Sequence, residues 1–386
     1  MRKQRKRLYA ALLCSSMVLS LVSTPVSAAE TGQLTNPPTS TEGPGSPESA
    51  SGNEAAAVLN GLSVLAANGE AEVTTASELT GALADSSISR ITLTGDIDIG
   101  STLTVNRTVT LDLNGCVLKM TGSDSVIKVA ADGDLTIQDR NTTTQHKFNP
   151  HCKYLTWYID MWELDNGGSE IVSGGVITGG GGDQSDGGGV LVAGGTLVMA
   201  GGNIVGCSAT SRGGGVCNKG TFIMSDGMIK GCTSPDGQYA SGGGVRNSNQ
   251  FTMTGGTIGD PTNPNDASSV YNTSSQRVIL TICDNAKIYT NVTNVGILNA
   301  DGGEIAGTMT NDTNEYGSGT ITGSAGAAGS TEFHGKVTNT GTIRKGTFTN
   351  AVINESSGAI NGGTFTGTVE NRGGTISAVP PCPLNS

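Results

Sequence analysis

A short phrase ending in valine recurs four times along the chain. The four copies are Gly189-Val190, Gly215-Val216, Gly244-Val245 and Ser269-Val270, so their valines follow one another at nearly regular intervals. A repeat of about 20 to 50 residues is typical of solenoids and propellers, in which each unit buries its apolar face only by stacking on its neighbours. The period therefore predicts a repeat architecture and argues against a compact globule.

Other residues advance with the same period and indicate that each unit is built from strands. One column contains Asn218, Asn247, Asn272 and Asn299; apolar columns contain Leu197, Phe222 and Phe251, then Met199, Met224, Met253 and Leu280, then Ile204, Ile229, Ile258 and Ile288. Runs such as Thr196–Met199 alternate between two faces, with glycines between the runs and no helical spacing. The sequence thus predicts an all-β parallel β-helix.

The chain before residue 72 differs from this array. Residues 1–28 combine five basic side chains, an apolar run and a small-residue sequence ending at Ala28, as a secretory signal peptide does. Removing them would change the formal charge from −11 to −16. Residues 29–71 are rich in Pro, Ser and Gly and predict a flexible leader. We therefore expect a secreted or cell-surface protein, and no covalent anchor sequence is visible.

The negative charge also limits the classes of partner. Nucleic acids and anionic membranes attract clusters of lysine and arginine, which the mature sequence lacks. No later apolar segment approaches the length of a membrane span. We expect neither nucleic acid nor a membrane as a partner.

The β-helix is predicted over residues 72–378, followed by a tail over 379–386. Thr75-Ala-Ser-Glu78 is a capping-box sequence and predicts a short helix that covers the N-terminal end of the solenoid. Near the C-terminal end the period shortens, as between Phe348 and Phe365, which predicts smaller coils.

An insertion over residues 141–168 interrupts the repeat, and the array is expected to resume at Ile171. The insertion contains both tryptophans and several other aromatic residues: Phe148, Tyr154, Trp157, Tyr158 and Trp162. Aromatic faces stack on sugar rings and are common at recognition surfaces, so Tyr154, Trp157, Tyr158 and Trp162 are candidate ligand-binding residues. The alternative is that these rings form a small core under a long loop.

The segment Gly213–Ile229 resembles the repeats of secreted bacterial right-handed parallel β-helix proteins of the pectate-lyase-like superfamily, and Thr110–Gly115 resembles their N-terminal coils. The resemblance covers most of residues 73–376 and implies that fold. The superfamily contains polysaccharide lyases, polygalacturonases, tailspike depolymerases and adhesin-like surface proteins, so it does not decide the activity. The Asn-Thr-Asp, Asp-Asp, Gly-His-Gly and Arg-Ile-Lys motifs of the polygalacturonases do not occur here.

Carboxylates outside the ladders are the nearest candidates for catalysis, which in a glycosidase requires two facing carboxyl groups. They are Asp183 and Asp186 in a glycine-rich loop and Asp160, Glu163 and Asp165 in the insertion. Solvated loop acids are the simpler interpretation, and calcium at Asp183 and Asp186 is disfavoured because the register of the calcium-binding nonapeptide fails. His146, His151 and Cys152 suggest zinc but lack a fourth ligand nearby. We therefore predict no catalytic residue, metal or cofactor.

Two further columns have structural interpretations. The asparagine side chains are expected to hydrogen-bond from coil to coil as a ladder. Cys207 and Cys232 each follow a ladder isoleucine by three residues and are expected to lie in adjacent coils, either as a disulfide or as two stacked thiols.

Together these observations predict an exported, non-catalytic scaffold that displays an extended surface for adhesion or for binding of a polysaccharide or host glycan. The alternatives are a polysaccharide lyase or glycoside hydrolase of the superfamily, and a truncated passenger of a larger surface protein.

Overall fold

The computed structural model describes residues 69–152, 160–181, 186–234, 242–263, 266–274, 277–315, 317–377 and 384–385. The predicted signal peptide and nearly all of the predicted leader lie outside these residues. Within the described ranges, no helix has the length and apolar character needed to cross a membrane.

Successive coils stack their strands in parallel, so the fold is a parallel β-helix, as predicted. One 12-stranded sheet, which we call the asparagine sheet, takes one strand from each coil. It comprises Leu103–Val105, Ile127–Val129, Val190–Val192, Val216–Asn218, Val245–Asn247, Val270–Asn272, Val292–Asn294, Met309–Asn311, Val337–Asn339, Val352–Asn354, Val369–Asn371 and Leu384–Asn385. The last of these strands falls within the predicted tail, which therefore contributes to the solenoid.

A larger sheet of 22 strands contains two rows, joined because two ten-residue strands run through both. The first row comprises Glu70–Val73, Arg90–Leu93, Thr108–Asp112, Asp134–Gln138, Thr196–Val205, Thr221–Lys230, Gln250–Met253, Ile279–Ile282, Ile297–Ala300, Thr320–Thr322, Thr342–Ile343, Ala359–Ile360 and Thr375–Ile376. The second row comprises Ile97–Ile99, Val117–Met120, Val176–Thr178, the ends of the two long strands, Thr257–Ile258, Lys287–Ile288, Glu304–Ile305, Glu332–Phe333, Thr347–Phe348 and Thr364–Phe365.

The apolar columns lie inside the coils and form one continuous core. The rings of Phe222 and Phe251 stack with their centroids 4.5 Å apart, and the rings of the C-terminal phenylalanines stack in the same way. One predicted column needs correction, because Leu280 pairs with Phe251 and it is Ile282 that pairs with Met253. Both residues point inward, so the alternation of the strand could not distinguish the two registers.

The N-terminal end of the solenoid carries the predicted helix, α1 (Ala76–Ala84). Thr75 and Glu78 form the capping box, and the hydrogen bond from the backbone N–H of Thr74 is the main reason that the pKa of Glu78 is lowered. Arg107 donates to the carbonyl oxygens of Ala82 and Leu83, at 2.8 and 3.0 Å, and so satisfies groups that a helix end leaves unpaired. The first strand begins at residue 70, two residues before the predicted boundary, because it pairs with the strand of the next coil.

The insertion folds as a separate three-stranded antiparallel sheet, formed by Gln145–Cys152, Asp160–Leu164 and Glu170–Ser173. Ile171 belongs to this sheet, pairs with Lys147 and is 52% exposed. The array therefore resumes at Val176, and the predicted resumption at Ile171 was wrong. A two-stranded hairpin, Thr313–Asn314 with Gly317–Ser318, projects from a later coil.

Candidate functional site

Trp162, one of the predicted ligand-binding residues, lies in a small hydrophobic cluster between the insertion and the solenoid. Its side chain is buried against Phe148, with ring centroids 6.4 Å apart, and only 2% of the residue is exposed. The ring is covered by the protein itself, so Trp162 is not a surface platform for sugars, and with Phe148 it belongs to the small core that was the alternative interpretation. Tyr154, Trp157 and Tyr158 lie outside the described residues.

Two glycines of the solenoid make room for this indole. Gly206 and Gly231 have φ of 63° and 60°, and both lie directly against Trp162. A Cβ atom on Gly231 would lie 2.1 Å from Cγ of Trp162, a separation that real atoms do not reach. The contact explains why the insertion packs on the solenoid at this position.

A group of three charges lies beside the same indole, of which Lys230 and Asp260 are buried and the Glu170 side chain is 37% exposed. The ammonium of Lys230 is 4.2 Å from the Trp162 ring centroid, 2.7 Å from Oδ2 of Asp260 and 3.9 Å from Oε2 of Glu170. The side chains of Lys230 and Asp260 are only 9% and 3% exposed. Thr262 donates its backbone N–H and its hydroxyl to Oδ1 of Asp260, at 2.8 and 2.7 Å.

Opposing effects set the pKa of this aspartate. Burial raises the pKa of Asp260, but the hydrogen bonds from Lys230 and Thr262 outweigh burial and hold the pKa below its ordinary value. The group is therefore an ion pair in which both partners have lost most of their contact with water, an arrangement that is costly unless its geometry is good. Its residues come from two coils and the insertion, which is why no local motif revealed it.

The asparagine ladder runs through eight coils in the described part of the chain. Each side-chain Nδ2 donates to the Oδ1 of the asparagine in the next coil, and the seven bonds are 2.7 to 3.0 Å long. The ladder consists of Asn218, Asn247, Asn272, Asn294, Asn311, Asn339, Asn354 and Asn371. All except the last are fully buried.

Asn299 is not a member of this ladder, contrary to the prediction. It lies in the first row, between Thr281 and Thr322 of the adjacent coils, and donates to the Thr281 hydroxyl at 3.1 Å. The rung after Asn272 is Asn294, only 22 residues further along the chain. The coil at this point is shorter than its predecessors, so extrapolation of the earlier spacing passed over the correct residue.

A groove of ≈ 470 Å³ lies along the outer surface of the second row. In three consecutive coils, Lys287, Glu304 and Glu332 occupy the same outward position. A complete coil, with the strands Met309–Asn311 and Thr320–Thr322 and the hairpin, separates Glu304 from Glu332 in the sequence, so the shorter spacing of Lys287 and Glu304 does not predict this column. The other lining residues are Asp284, Asn285, Ala286, Asp301, Gly302, Gly303, Gly329 and Ser330.

Acidic side chains that line the groove lie close to basic side chains. Nε2 of His334 is 3.3 Å from a carboxylate oxygen of Glu332 and 3.9 Å from one of Glu304, so the imidazole lies beside both acids. Lys287 is 3.9 Å from Glu304 on the other side. At the end of the groove, Asp301 accepts from Lys345 at 2.9 Å. The carboxylates outnumber the amines, and none of the described lining residues is aromatic.

The remaining candidates from the sequence do not come together. Asp186 pairs with Lys219 at 2.8 Å, and Nε2 of His146 lies 3.0 Å from the carbonyl oxygen of Gly115. Asp165 accepts from a backbone N–H of its own turn, and Glu163 is exposed. The side chains of Asp160, Asp183, His151 and Cys152 lie outside what the structure describes. Across the described ranges, no three His, Cys, Asp or Glu side chains are grouped so as to hold a metal ion.

Cys207 and Cys232 lie in adjacent coils and are both fully buried free thiols. Burial, with a smaller contribution from Cys207, raises the pKa of Cys232 well above its ordinary value. A thiol with a raised pKa is a poor nucleophile, so the pair belongs to the core.

Comparison with known proteins identifies a family model that matches part of the chain. Residues 70–172 match the model of the pectate lyase-like adhesive domain, which covers the helix α1, the first coils and the insertion. No curated protein matches the chain. No solved structure matches it either. The chain is thus a parallel β-helix protein whose residues 70–172 are similar to the pectate lyase-like adhesive domain.

Proposed function

We propose that the protein is an exported, surface-displayed adhesive scaffold that binds a polysaccharide along the second-row groove. The observation that carries this proposal is the groove itself, in which polar side chains from consecutive coils repeat at the strand spacing of about 4.8 Å. A surface that repeats along one axis fits a ligand that also repeats along one axis. The match to an adhesive domain family supports the same role.

The charge of the groove limits the class of polysaccharide. Four carboxylates, from Asp284, Asp301, Glu304 and Glu332, line it against Lys287 and the neighbouring Lys345. Polyuronates such as pectate carry a negative charge on each sugar and would be repelled. We therefore propose a neutral or amine-bearing polysaccharide as the ligand.

A glycan array probed with the full chain tests this function. We expect binding to neutral or amine-bearing polysaccharides, and we expect the double variant Glu304→Gln with Glu332→Gln to weaken binding to the amine-bearing ones. Glu370→Gln is the matched control, because Glu370 is an exposed glutamate of the asparagine sheet outside the groove. Binding to polyuronates, or binding that the double variant leaves unchanged, would contradict the proposal.

A second candidate function is glycoside hydrolysis by the same two glutamates. Retaining glycosidases place two carboxyl groups about 5 to 5.5 Å apart, and in-register glutamates on adjacent parallel strands have a similar spacing of about 4.8 Å. Each bound polysaccharide is therefore incubated with and without calcium and followed for new reducing ends or unsaturated products. Cleavage that Glu304→Gln or Glu332→Gln abolishes would favour the enzyme; binding without cleavage would favour the scaffold.

A further inference from the structure

The buried pair under the insertion has the components of a covalent reaction. Ile229 and Ile258 pair in adjacent coils, and the residues that follow them bring the Lys230 ammonium to 2.7 Å from Asp260 Oδ2. The hydrogen bonds that lower the pKa of Asp260 keep the resting pair charged, so the reactive neutral amine must arise by proton transfer within the pair, which is shielded from water. Their fixed proximity replaces a bimolecular encounter by an intramolecular one.

We propose that Lys230 and Asp260 join in an intramolecular amide bond between Nζ and Cγ, with Glu170 carrying the proton. The bond would link two neighbouring coils directly beneath the insertion. This inference is independent of the proposed function, because it concerns neither the groove nor a polysaccharide.

The reaction begins with transfer of a proton from the ammonium of Lys230 to the carboxylate of Asp260. The neutral amine attacks Cγ, a C–N bond forms, and negative charge develops on Oδ1. The backbone N–H and the hydroxyl of Thr262 already donate to Oδ1, at 2.8 and 2.7 Å, so they stabilise that charge as an oxyanion hole does.

The tetrahedral intermediate then loses Oδ2. Glu170, whose Oε2 lies 3.9 Å from Nζ, must first approach the nitrogen to hydrogen-bond distance; it then takes a proton from the nitrogen and delivers it to Oδ2, which leaves as water. The sum is one ammonium and one carboxylate converted to one amide and one water molecule. No oxidant, reductant or metal enters the balance.

Two other close lysine–aspartate pairs show what distinguishes this one. Lys345 is 2.9 Å from Asp301 and Lys219 is 2.8 Å from Asp186, but their lysine side chains are 24% and 45% exposed, against 9% for Lys230. Those two lysine side chains therefore keep more contact with water than Lys230 does. Among the described cation–ring contacts, Lys230 is also the lysine that lies over an aromatic ring, that of Trp162.

The experiment is an intact-mass measurement on the denatured full chain, after its N-terminal residue has been determined. We expect the wild type to be lighter by one water than the mass calculated from its sequence. Tryptic mapping should then show no cleavage after Lys230 and a cross-linked peptide pair containing Lys230 and Asp260. We expect Lys230→Arg and Asp260→Ala to have their full calculated masses, and Glu170→Gln to lose the deficit or to acquire it more slowly.

Asp301→Ala provides the matched control and should keep the deficit, since it removes the carboxylate of a more exposed pair. A succinimide at Asp226-Gly227 would also remove one water, but it would persist in Lys230→Arg and would leave cleavage after Lys230 intact. A wild-type chain of full calculated mass, or normal cleavage after Lys230, would overturn the proposal. A deficit that Glu170→Gln leaves unchanged in amount and rate would overturn the role of Glu170. If a variant does not fold, the tryptic peptide map of the wild type is sufficient to show whether the amide bond is present.

Discussion

Replacing Asn294 with alanine tests whether the asparagine ladder stabilises the solenoid. Asn294 accepts from Nδ2 of Asn272 at 2.7 Å and donates to Oδ1 of Asn311 at 2.8 Å, and all three side chains are fully buried. The variant loses two ladder hydrogen bonds, each contributing about 1 kcal/mol net, and a longer bond of 3.4 Å to the carbonyl oxygen of Thr320, and it leaves the Asn311 oxygen without its ladder donor. A buried acceptor without a donor costs about 1 to 3 kcal/mol, so we expect a total loss of roughly 3 kcal/mol.

Asn299→Ala is the matched control for this experiment. It removes the same side chain from a neighbouring strand, but Asn299 is half-buried and makes one described hydrogen bond, to a hydroxyl that water can also reach. We expect a loss of about 0.5 kcal/mol, typical of such a bond.

The free energy of unfolding of the wild type and both variants would be measured by urea denaturation. Repeat proteins can unfold in sections, so the slopes of the transitions must be compared as well as their midpoints. Hydrogen exchange would then locate the loss, which we expect in the coils on either side of Asn294. Equal losses in Asn294→Ala and Asn299→Ala would refute the reasoning, because the ladder would then contribute no more than a surface contact.

Three other substitutions probe the packing and the buried charge. Gly231→Ala should displace Trp162 and increase quenching of tryptophan fluorescence by acrylamide, whereas Gly100→Ala, where a Cβ meets no atom within 4 Å, should leave the quenching unchanged. Phe251→Ala interrupts the stacked rings of the core and should cost about 3 to 5 kcal/mol in urea denaturation, and a loss below about 1 kcal/mol would contradict the stacking argument. Burial raises the pKa of Asp266 above 3.8, so its ionisation costs the folded state stability as the pH rises through that raised pKa. Asp266→Asn should therefore be no more stable than the wild type below pH 3.8 and should gain on it as the pH rises, whereas a gain that grows toward acid pH would contradict the argument.

The coils themselves could be predicted from the sequence, because the inward residues repeat in type as well as in spacing. The asparagine ladder could have been predicted in full from a three-residue sequence pattern, rather than from the spacing of the asparagines. A phrase of valine or methionine, any residue and asparagine ends at Asn294 just as it does at Asn272, whereas Asn299 follows no such phrase. The three-residue sequence is determined by the geometry of the corner, which is the same in each coil. The number of residues between two asparagines depends on the length of the coil, which varies.

The groove and the buried pair could not be predicted in this way. Glu304 and Glu332 are separated by a complete coil that contains the hairpin, whereas Lys287 and Glu304 are separated by a shorter coil, so no constant interval predicts this column. Glu170 reaches Lys230 through the antiparallel pairing of the insertion, which no repeat encodes. The residue type of Trp162 allowed both a recognition surface and a small core, and the position of the glycines beneath it explains why it is buried in the core.

The spacing of the ladder also bears on how such a chain can change over time. Successive rungs are separated by 29, 25, 22, 17, 28, 15 and 17 residues, yet the hydrogen bonds between them are almost the same length. Insertions and deletions are therefore absorbed between the corners, while the three residues at each corner keep their positions. The parts of the chain that determine what the surface recognises can lengthen, shorten or be exchanged, and the register of the coils above and below is preserved.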